Sequence, residues 1–368
     1  MKHIRKTIPL PDDPWIRHYF PESQAFFDIE TTGFSPKNAF VYLIGLALRK
    51  QNSIQIDQFL AKSRGEEAEI LTAFHKELSS AKGFVTFNGL GFDVPFLKSR
   101  EQLYRLHGGW NLLEATDLYK LMGNFARLFH LPDKKQKSFE RFLGIDRDDA
   151  LSGGELIPVY FDYEKNHKPE SERLLLVHNF EDVLGMTKLL SLLSYADFFS
   201  QPKHVLTASK EKSRSFSGLE QTELLLTLKA PLPFPKQLLY QGNFCCLKCF
   251  DDSARLLVKT FCGELKFYYE NYKDYYYLPE EDMAIHKSVA AFVDPKRRKK
   301  ATAATCYTKK SGLFLPQKKN LFSPCFGPEK KSATHYFELT DEFLSDLSAL
   351  NTYASHLSES LLGEAKQK

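Results

Sequence analysis

Four acidic residues and one histidine stand where chemistry can be done. Asp28 and Glu30 lie two apart in the apolar run Phe26-Phe27-Asp28-Ile29-Glu30, so on a strand their carboxylates share one face. Asp93 follows the turn Asn88-Gly89-Leu90-Gly91-Phe92. Asp182 sits in an apolar helical pattern with His178 four residues earlier, which puts both on one helix face. Carboxylates in apolar segments are costly unless cations neutralise them. Hard oxygen ligands from separate elements suit Mg²⁺ or Mn²⁺ rather than zinc. Two such ions, about 4 Å apart, can activate a water and stabilise the leaving oxygen of a phosphodiester. The base this chemistry needs must titrate near neutrality, and His178 is the candidate.

The elements that must position these groups follow from pattern. Ala25–Ile29, Phe40–Leu48 and Ser53–Phe59 read as strands, the last two joined by a polar turn at Arg49–Asn52. Ile70, Phe74 and Leu78 mark a helix over Gly65–Ala81. Gly83–Phe87 is a further strand, followed by a helix over Val94–Leu106 and a short strand at Ala115–Asp117, where Asp117 is read as capping the next helix. Gly144–Pro169 reads as an irregular connection, and Ser171–Tyr195 as a strong helix. Antiparallel strands first, then strands alternating with helices, predict one α/β domain with a mixed sheet.

These motifs resemble those of the DEDD exonucleases. Phe26-Phe27-Asp28-Ile29-Glu30-Thr31-Thr32-Gly33 is similar to their first motif, Asn88 through Asp93 to the second, and His178-Asn179-Phe180-Glu181-Asp182-Val183 to the third. The spacing from Leu143-Gly144 through a Tyr-Phe pair to His-Asn-x-x-Asp resembles the YprB-like branch, over about residues 22–195. The resemblance implies a ribonuclease-H-like mixed sheet flanked by helices and a metal-dependent nuclease, usually acting from a 3′ end. By residue it implies that Asp28, Glu30 and Asp182 hold two Mg²⁺ or Mn²⁺ ions. Asp93 completes the site directly or through a water, and His178 orients and deprotonates the attacking water. It also implies that Thr31, Thr32, Gly33, Phe34 and Asn88 contact the terminal nucleotide. Three residues separate His178 from Asp182, the spacing of tyrosine-type members; histidine-type members usually have four.

Charge divides the chain. Residues 1–200 carry 25 basic and 27 acidic side chains; within Ile285–His335 the balance is 12 to 2. Lys296, Arg297, Arg298, Lys299, Lys300, Lys309 and Lys310 lie near Tyr272, Tyr275, Tyr276, Tyr277, Tyr307 and Phe314. Cations replace counterions on a phosphate backbone and aromatic faces stack unpaired bases, so this cluster is expected to bind single-stranded DNA or RNA. All six cysteines fall after residue 244. Cys246-x-x-Cys249 with Cys262 is read as reduced core cysteine rather than zinc ligation, because no fourth ligand has regular spacing. Thr207–Gln221 is polar and reads as a linker. Asp341–Leu362 carries an apolar helical stripe.

The expected organisation is a lead-in over 1–21, a ribonuclease-H-like domain over 22–200, a linker over 201–221, and a smaller basic α+β accessory domain over 222–368. No apolar run approaches the roughly 18–20 residues of a membrane span, and prolines and aspartates occupy positions 9–14 where a signal peptide would be apolar. A cytoplasmic location is therefore expected. The competing function is a non-catalytic nucleic-acid-binding or scaffold protein on the same fold. A polymerase proofreading unit is excluded by the short remainder of the chain.

Overall fold

The computed structural model describes residues 1–148, 151–214 and 220–367. It divides into two compact units, one of Met1–Phe198 with Pro231–Lys236, the other of Phe199–Ala230 with Gln237–Lys368.

The first unit is built on a six-stranded sheet. In chain order its elements are β1 (Lys2–Pro9), α1 (Pro14–Tyr19), β2 (Gln24–Thr31), β3 (Val41–Lys50), β4 (Ser53–Leu60), α2 (Glu67–Leu78), β5 (Gly83–Thr86), α3 (Asp93–Tyr104), β6 (Glu114–Asp117), α4 (Leu118–Met122), α5 (Gln136–Leu143), α6 (Gly153–Asn166), α7 (Pro169–Leu189) and α8 (Leu193–Ser200). The strand order is β1-β4-β3-β2-β5-β6. Pairing is antiparallel from β1 to β2 and parallel from β2 through β5 to β6. Strand β2 thus lies where the sheet changes from antiparallel to parallel pairing.

The period of β2 decides which face carries chemistry. Ala25, Phe27 and Ile29 point into the core shared with α2 and α3, where Phe27 meets Phe74 at a ring distance of 5.3 Å. Phe26, Asp28 and Glu30 alternate to the other face. That face is covered by α6 and α7, with Phe40, Tyr42, Leu156, Tyr160 and Leu175 in its core.

Helix α7 lies close against the sheet because Gly45 of β3, paired with Asp28, has no side chain. A Cβ there would sit 2.3 Å from Asn179 Oδ1 and 2.7 Å from Val183 Cγ2. Asn179 is fully buried and cannot step aside freely: its Oδ1 accepts from Gln58 Nε2 at 3.1 Å, and Gln58 also donates to the Leu176 carbonyl at 2.8 Å.

Two readings of this unit are corrected. The lead-in contains β1, which pairs along its whole length with β4. Its alternation brings His3 Nε2 and Arg5 Nε to 2.7 and 2.6 Å from the buried carboxylate of Asp57. Within the stretch read as irregular, Gly153–Asn166 is α6, opened by Ser152-Gly-Gly-Glu155, where the Glu155 carboxylate reaches back to the Ser152 amide at 2.8 Å. Pro158 masked the helix; it lies inside α6, in the second turn, where the helix forgoes one backbone hydrogen bond.

The second unit is rich in strands: β7 (Val205–Arg214), β8 (Glu220–Lys229), β9 (Leu238–Gln241), β10 (Cys245–Phe250), β11 (Ser253–Lys259), β12 (Phe261–Tyr268), β13 (Tyr275–Leu278), β14 (Met283–His286), β15 (Lys299–Lys300), β16 (Tyr307–Gln317) and β17 (His335–Glu338), with helices α9 (Lys287–Ala290), α10 (Asp341–Ser345) and α11 (Leu347–Gln367). The strands form sheets ordered β7-β8-β11-β10-β9, β12-β16-β17 and β14-β13-β15. The predicted linker is strand on its described residues: β7 pairs with β8, whose Leu224, Leu226 and Leu228 are buried. An exposed strand held by backbone bonds needs little apolar content, so composition misread it. Asp294-Pro295 opens a single 3₁₀ turn, Pro295–Arg297. The closing stripe is buried in this unit except at Leu347, with Tyr353 Oη donating to the Pro316 carbonyl at 2.9 Å.

Among the described residues no helix is long and apolar enough to cross a membrane. Overpacking costs typically 1–3 kcal/mol, so Gly45→Ala is expected to destabilise the protein by about that much in urea unfolding. A change within 0.5 kcal/mol, a surface-like effect, would mean that α7 does not press on β3 at this point.

Candidate active site

Strand β2 and helix α7 bring three of the motif groups into contact. His178 Nε2 lies 3.0 Å from Asp182 Oδ2 and 3.4 Å from Glu30 Oε1. Ligand-type atoms of Glu30, His178 and Asp182 all fall within 4.8 Å of one another, a spacing that a cation can occupy. Asp28, half-buried beside them, shares their field. Burial first, then the charges of Asp93, Asp182 and Glu30, push its carboxyl well above the ordinary range, and Arg147 only partly offsets this. Burial also acts upward on Asp182, but hydrogen bonds and charge from His178 and Arg147 hold it below its usual value. The carboxylate oxygens among these donors fit a hard divalent cation.

Asp93 reaches the same cluster from the start of α3. Its Oδ1 accepts the Ile29 amide at 3.1 Å, which ties α3 to β2. Burial pushes its carboxyl up to about 7, against the downward pull of that backbone bond. The preceding turn is held by Asp117, whose carboxylate accepts from the amides of Asn88 (2.9 Å), Leu90 (3.1 Å) and Tyr119 (3.0 Å). Asp117 therefore caps α4, as expected, and also shapes the second motif. Asn88 takes a left-handed conformation with φ of 63°. A Cβ on Gly89 would lie 2.5 Å from that of Thr86, so the turn requires glycine.

A cavity of about 380 Å³ opens over the carboxylates. Asp28, Glu30, His178 and Asp182 form its floor, and Thr31, Gly33, Phe34 and Phe92 line one side. Phe34 is 87% exposed, and its ring meets that of Phe92 edge-on at 6.3 Å. Thr32 and Asn88 do not line the cavity. The Thr32 hydroxyl accepts the Phe40 amide at 3.1 Å and closes the loop. That loop is pinned by a buried pair, Arg100 with Glu67 at 2.6 Å, from which Arg100 Nη1 also donates to the Pro36 carbonyl at 2.8 Å.

Two contributors were missed from sequence. Helix α6 lines the cavity with Gly153, Gly154 and Ile157; its Ser-x-x-Glu capping box was the available signal. Arg147 Nη1 lies 2.5 Å from Asp182 Oδ1 and its side chain also grips Glu140. No pattern in sequence marked it.

In the second unit the basic cluster is partly neutralised. Arg297 pairs with Glu280, Lys309 with Asp282 at 2.5 Å, and Lys310 with Glu338 at 2.5 Å. These acids lie outside the window in which charge was counted. Arg298 stacks over Tyr276 at 5.0 Å and donates to the Ala290 carbonyl, while Lys296, Lys299 and Lys300 are exposed. Tyr307 and Phe314, expected as stacking platforms, are core residues. Tyr275 instead lines a cavity of about 840 Å³ with Phe267, Tyr268, Tyr269 and Lys330. The cysteines are free thiols; on β10, Cys245 and Cys249 point inward and Cys246 outward, so Cys246 and Cys249 cannot share a metal.

Residues 25–194 match the family model of the RNase_H superfamily. The chain is 28% identical over 199 residues to the uncharacterised protein YprB of Bacillus subtilis, covering 52% of this chain and 46% of that one. It therefore spans about half the length of that relative. An uncharacterised protein of Methanocaldococcus jannaschii is 26% identical over 176 residues, which is 46% of this chain and 95% of its own. Among solved structures, the family B DNA polymerase of Pyrobaculum calidifontis aligns over 50% of this chain and 26% of its own at 17% identity, with a TM-score of 0.38. Exonuclease I of E. coli in complex with a dT13 oligonucleotide aligns over 56% and 55% at 14% identity, with a TM-score of 0.32.

The raised carboxyl of Asp93 has a consequence for stability without cations. Its folded pKa, about 7, lies above the unfolded value near 3.9, so the folded state binds the extra proton and stability falls as pH rises between them. In EDTA, Asp93→Asn is expected to stabilise the protein at pH 8 by on the order of 1–2 kcal/mol, and much less at pH 4. Equal effects at both pH values in denaturant titrations would remove the buried charge as the cause.

Proposed function

We propose that this ribonuclease-H-like domain is a metal-dependent nuclease, acting as a 3′–5′ exonuclease on single-stranded nucleic acid. The observation that carries the reading is the convergence of Asp28, Glu30 and Asp182 with His178 on the floor of one open cavity, with Asp93 buried behind them in the same field. Four acids in one desolvated site are unfavourable unless cations belong there.

Asp28, Glu30 and Asp182 would hold two Mg²⁺ or Mn²⁺ ions, with Asp93 completing the site. When bound, such ions supply the charge that acidifies a water and stabilises the leaving oxygen of the phosphodiester. His178 takes the proton of the attacking water. Its Nε2 lies 3.0 Å from Asp182 Oδ2 and 3.4 Å from Glu30 Oε1, within the cluster where that water would be held. Phe34 and Phe92 offer ring faces and edges to the terminal base, and Thr31 and Gly33 offer polar groups to its sugar and phosphate. A cavity of about 380 Å³ has the scale of one small ligand, which favours a single nucleotide over a duplex end. The exposed Lys296, Lys299 and Lys300 hold the strand electrostatically.

The test is cleavage of end-labelled single-stranded DNA and RNA with Mg²⁺, Mn²⁺ or EDTA. Asp28→Ala and Asp182→Ala are each expected to abolish cleavage, as is EDTA; cleavage indifferent to all three would overturn the reading. Binding of strands without cleavage by the wild type would favour a scaffold. His178→Ala is expected to slow cleavage by about 10²–10⁴-fold while Mn²⁺ binding is retained, and equal loss of both would make it a ligand instead of the base. Replacing Lys296, Lys299 and Lys300 together by Ala should lower the salt slope of strand binding by about 2, at ~0.7 per phosphate contact; an unchanged slope removes that surface from the path.

A further inference from the structure

Between α5 and α6, Arg147 enters the acid cluster from the side away from solvent. Its side chain is 7% exposed, and that of Glu140, its partner, 1%. Arg147 grips both oxygens of Glu140, with Nη2 to Oε1 at 2.6 Å and a second bond from Nε to Oε2. Nη1 remains, and it donates to Asp182 Oδ1 at 2.5 Å. Glu140 is fixed in turn. Gln136 Nε2 donates to its Oε1 at 2.9 Å and to the Asp182 backbone carbonyl at 2.8 Å. Gly185 of α7 makes room for it, since a Cβ there would lie 2.0 Å from Glu140 Oε1.

We infer that Arg147, clamped by Glu140, is a positioning residue that sets which oxygen of Asp182 faces the reaction. The fork on Glu140 uses two of the five guanidinium donors, and a buried guanidinium needs acceptors for the rest; Nη1 finds its acceptor in Asp182 Oδ1, so the contact that satisfies the arginine also fixes the aspartate. Here the third donor takes Oδ1 and leaves Oδ2, 3.0 Å from His178 Nε2, on the side of Glu30. Asp182 is then held at its backbone by Gln136 and at one oxygen by Arg147, and its rotamer is settled before a cation arrives. The same guanidinium lowers the negative potential of the site, so Arg147 accepts weaker cation affinity in return for orientation. A lysine would retain the charge but lose the fork.

This inference rests on the metal-nuclease reading. The test uses the full chain and two measurements, Mn²⁺ binding by calorimetry without nucleic acid, and single-turnover cleavage at saturating Mn²⁺. Arg147→Lys is expected to bind Mn²⁺ within about twofold of wild type yet to cleave at least tenfold more slowly, with KM little changed. Arg147→Met is expected to bind Mn²⁺ several-fold more tightly, because a positive charge beside a ligand carboxylate is gone, and to cleave as slowly as the lysine variant. Glu140→Gln, which frees the fork without touching the site, should reproduce the slow cleavage. Circular dichroism and Tm identify a variant that fails to fold, in which case the lysine and glutamine variants carry the decision. Cleavage by Arg147→Lys within twofold of wild type, or weakened Mn²⁺ binding in Arg147→Met, overturns the positioning role. A wild-type chain that binds no Mn²⁺ overturns the metal-nuclease reading itself, and this inference with it.

Discussion

Like charges resist being gathered, and the first unit is organised around gathering them. Asp28 and Glu30 share a face of β2, Asp93 opens α3, and Asp182 projects from α7. Each is brought to the same desolvated place, where burial and mutual repulsion raise the carboxyls of Asp28 and Asp93. No local segment would hold such an arrangement. It persists because the two cores on either face of the sheet bury large aromatic and aliphatic side chains, whose burial outweighs the repulsion.

The arrangement depends on a few close approaches. Gly45 lets α7 lie on β3, and Asn179 with Gln58 locks it there through buried hydrogen bonds. Asp117 gathers the amides of the second motif, and Asp93 binds the backbone of β2. The Arg100–Glu67 pair pins the loop that carries Thr31 to Phe34. These groups need not meet a substrate. Their work is to leave the carboxylates no alternative positions, the condition for preorganised chemistry.

Much of the first unit was legible in sequence because its signals are local. An Asp-x-Glu on an apolar strand, an Asn turn before Asp93, and a His–Asp pair one helical turn apart each declare a face and an element. A mixed α/β sheet followed from the order of strands and helices, and its ribonuclease-H-like character from the resemblance of the motifs. Where local composition was ambiguous the reading failed. Polar β7 looked like a linker, Pro158 hid α6, and basic β1 looked like a tail. In the second unit a window of charge gave seven candidate cations, but Glu280, Asp282 and Glu338 fold back onto three of them. Tyr307 and Phe314 turned inward for a similar reason, since alternation along a strand cannot say which face will be covered.

Sequence alone nominated the candidate site residues and the elements on which they ride. Periods of 2 and 3.6 residues place side chains on faces without knowledge of the rest. Packing chose the distant partners: that Glu30 comes to His178 Nε2, that Arg147 enters from a neighbouring connection to meet Asp182, and that α6 walls the cavity. Those contacts join residues tens to more than a hundred positions apart. They arise from packing the covered faces against one another, and a local pattern holds no record of which distant face will arrive.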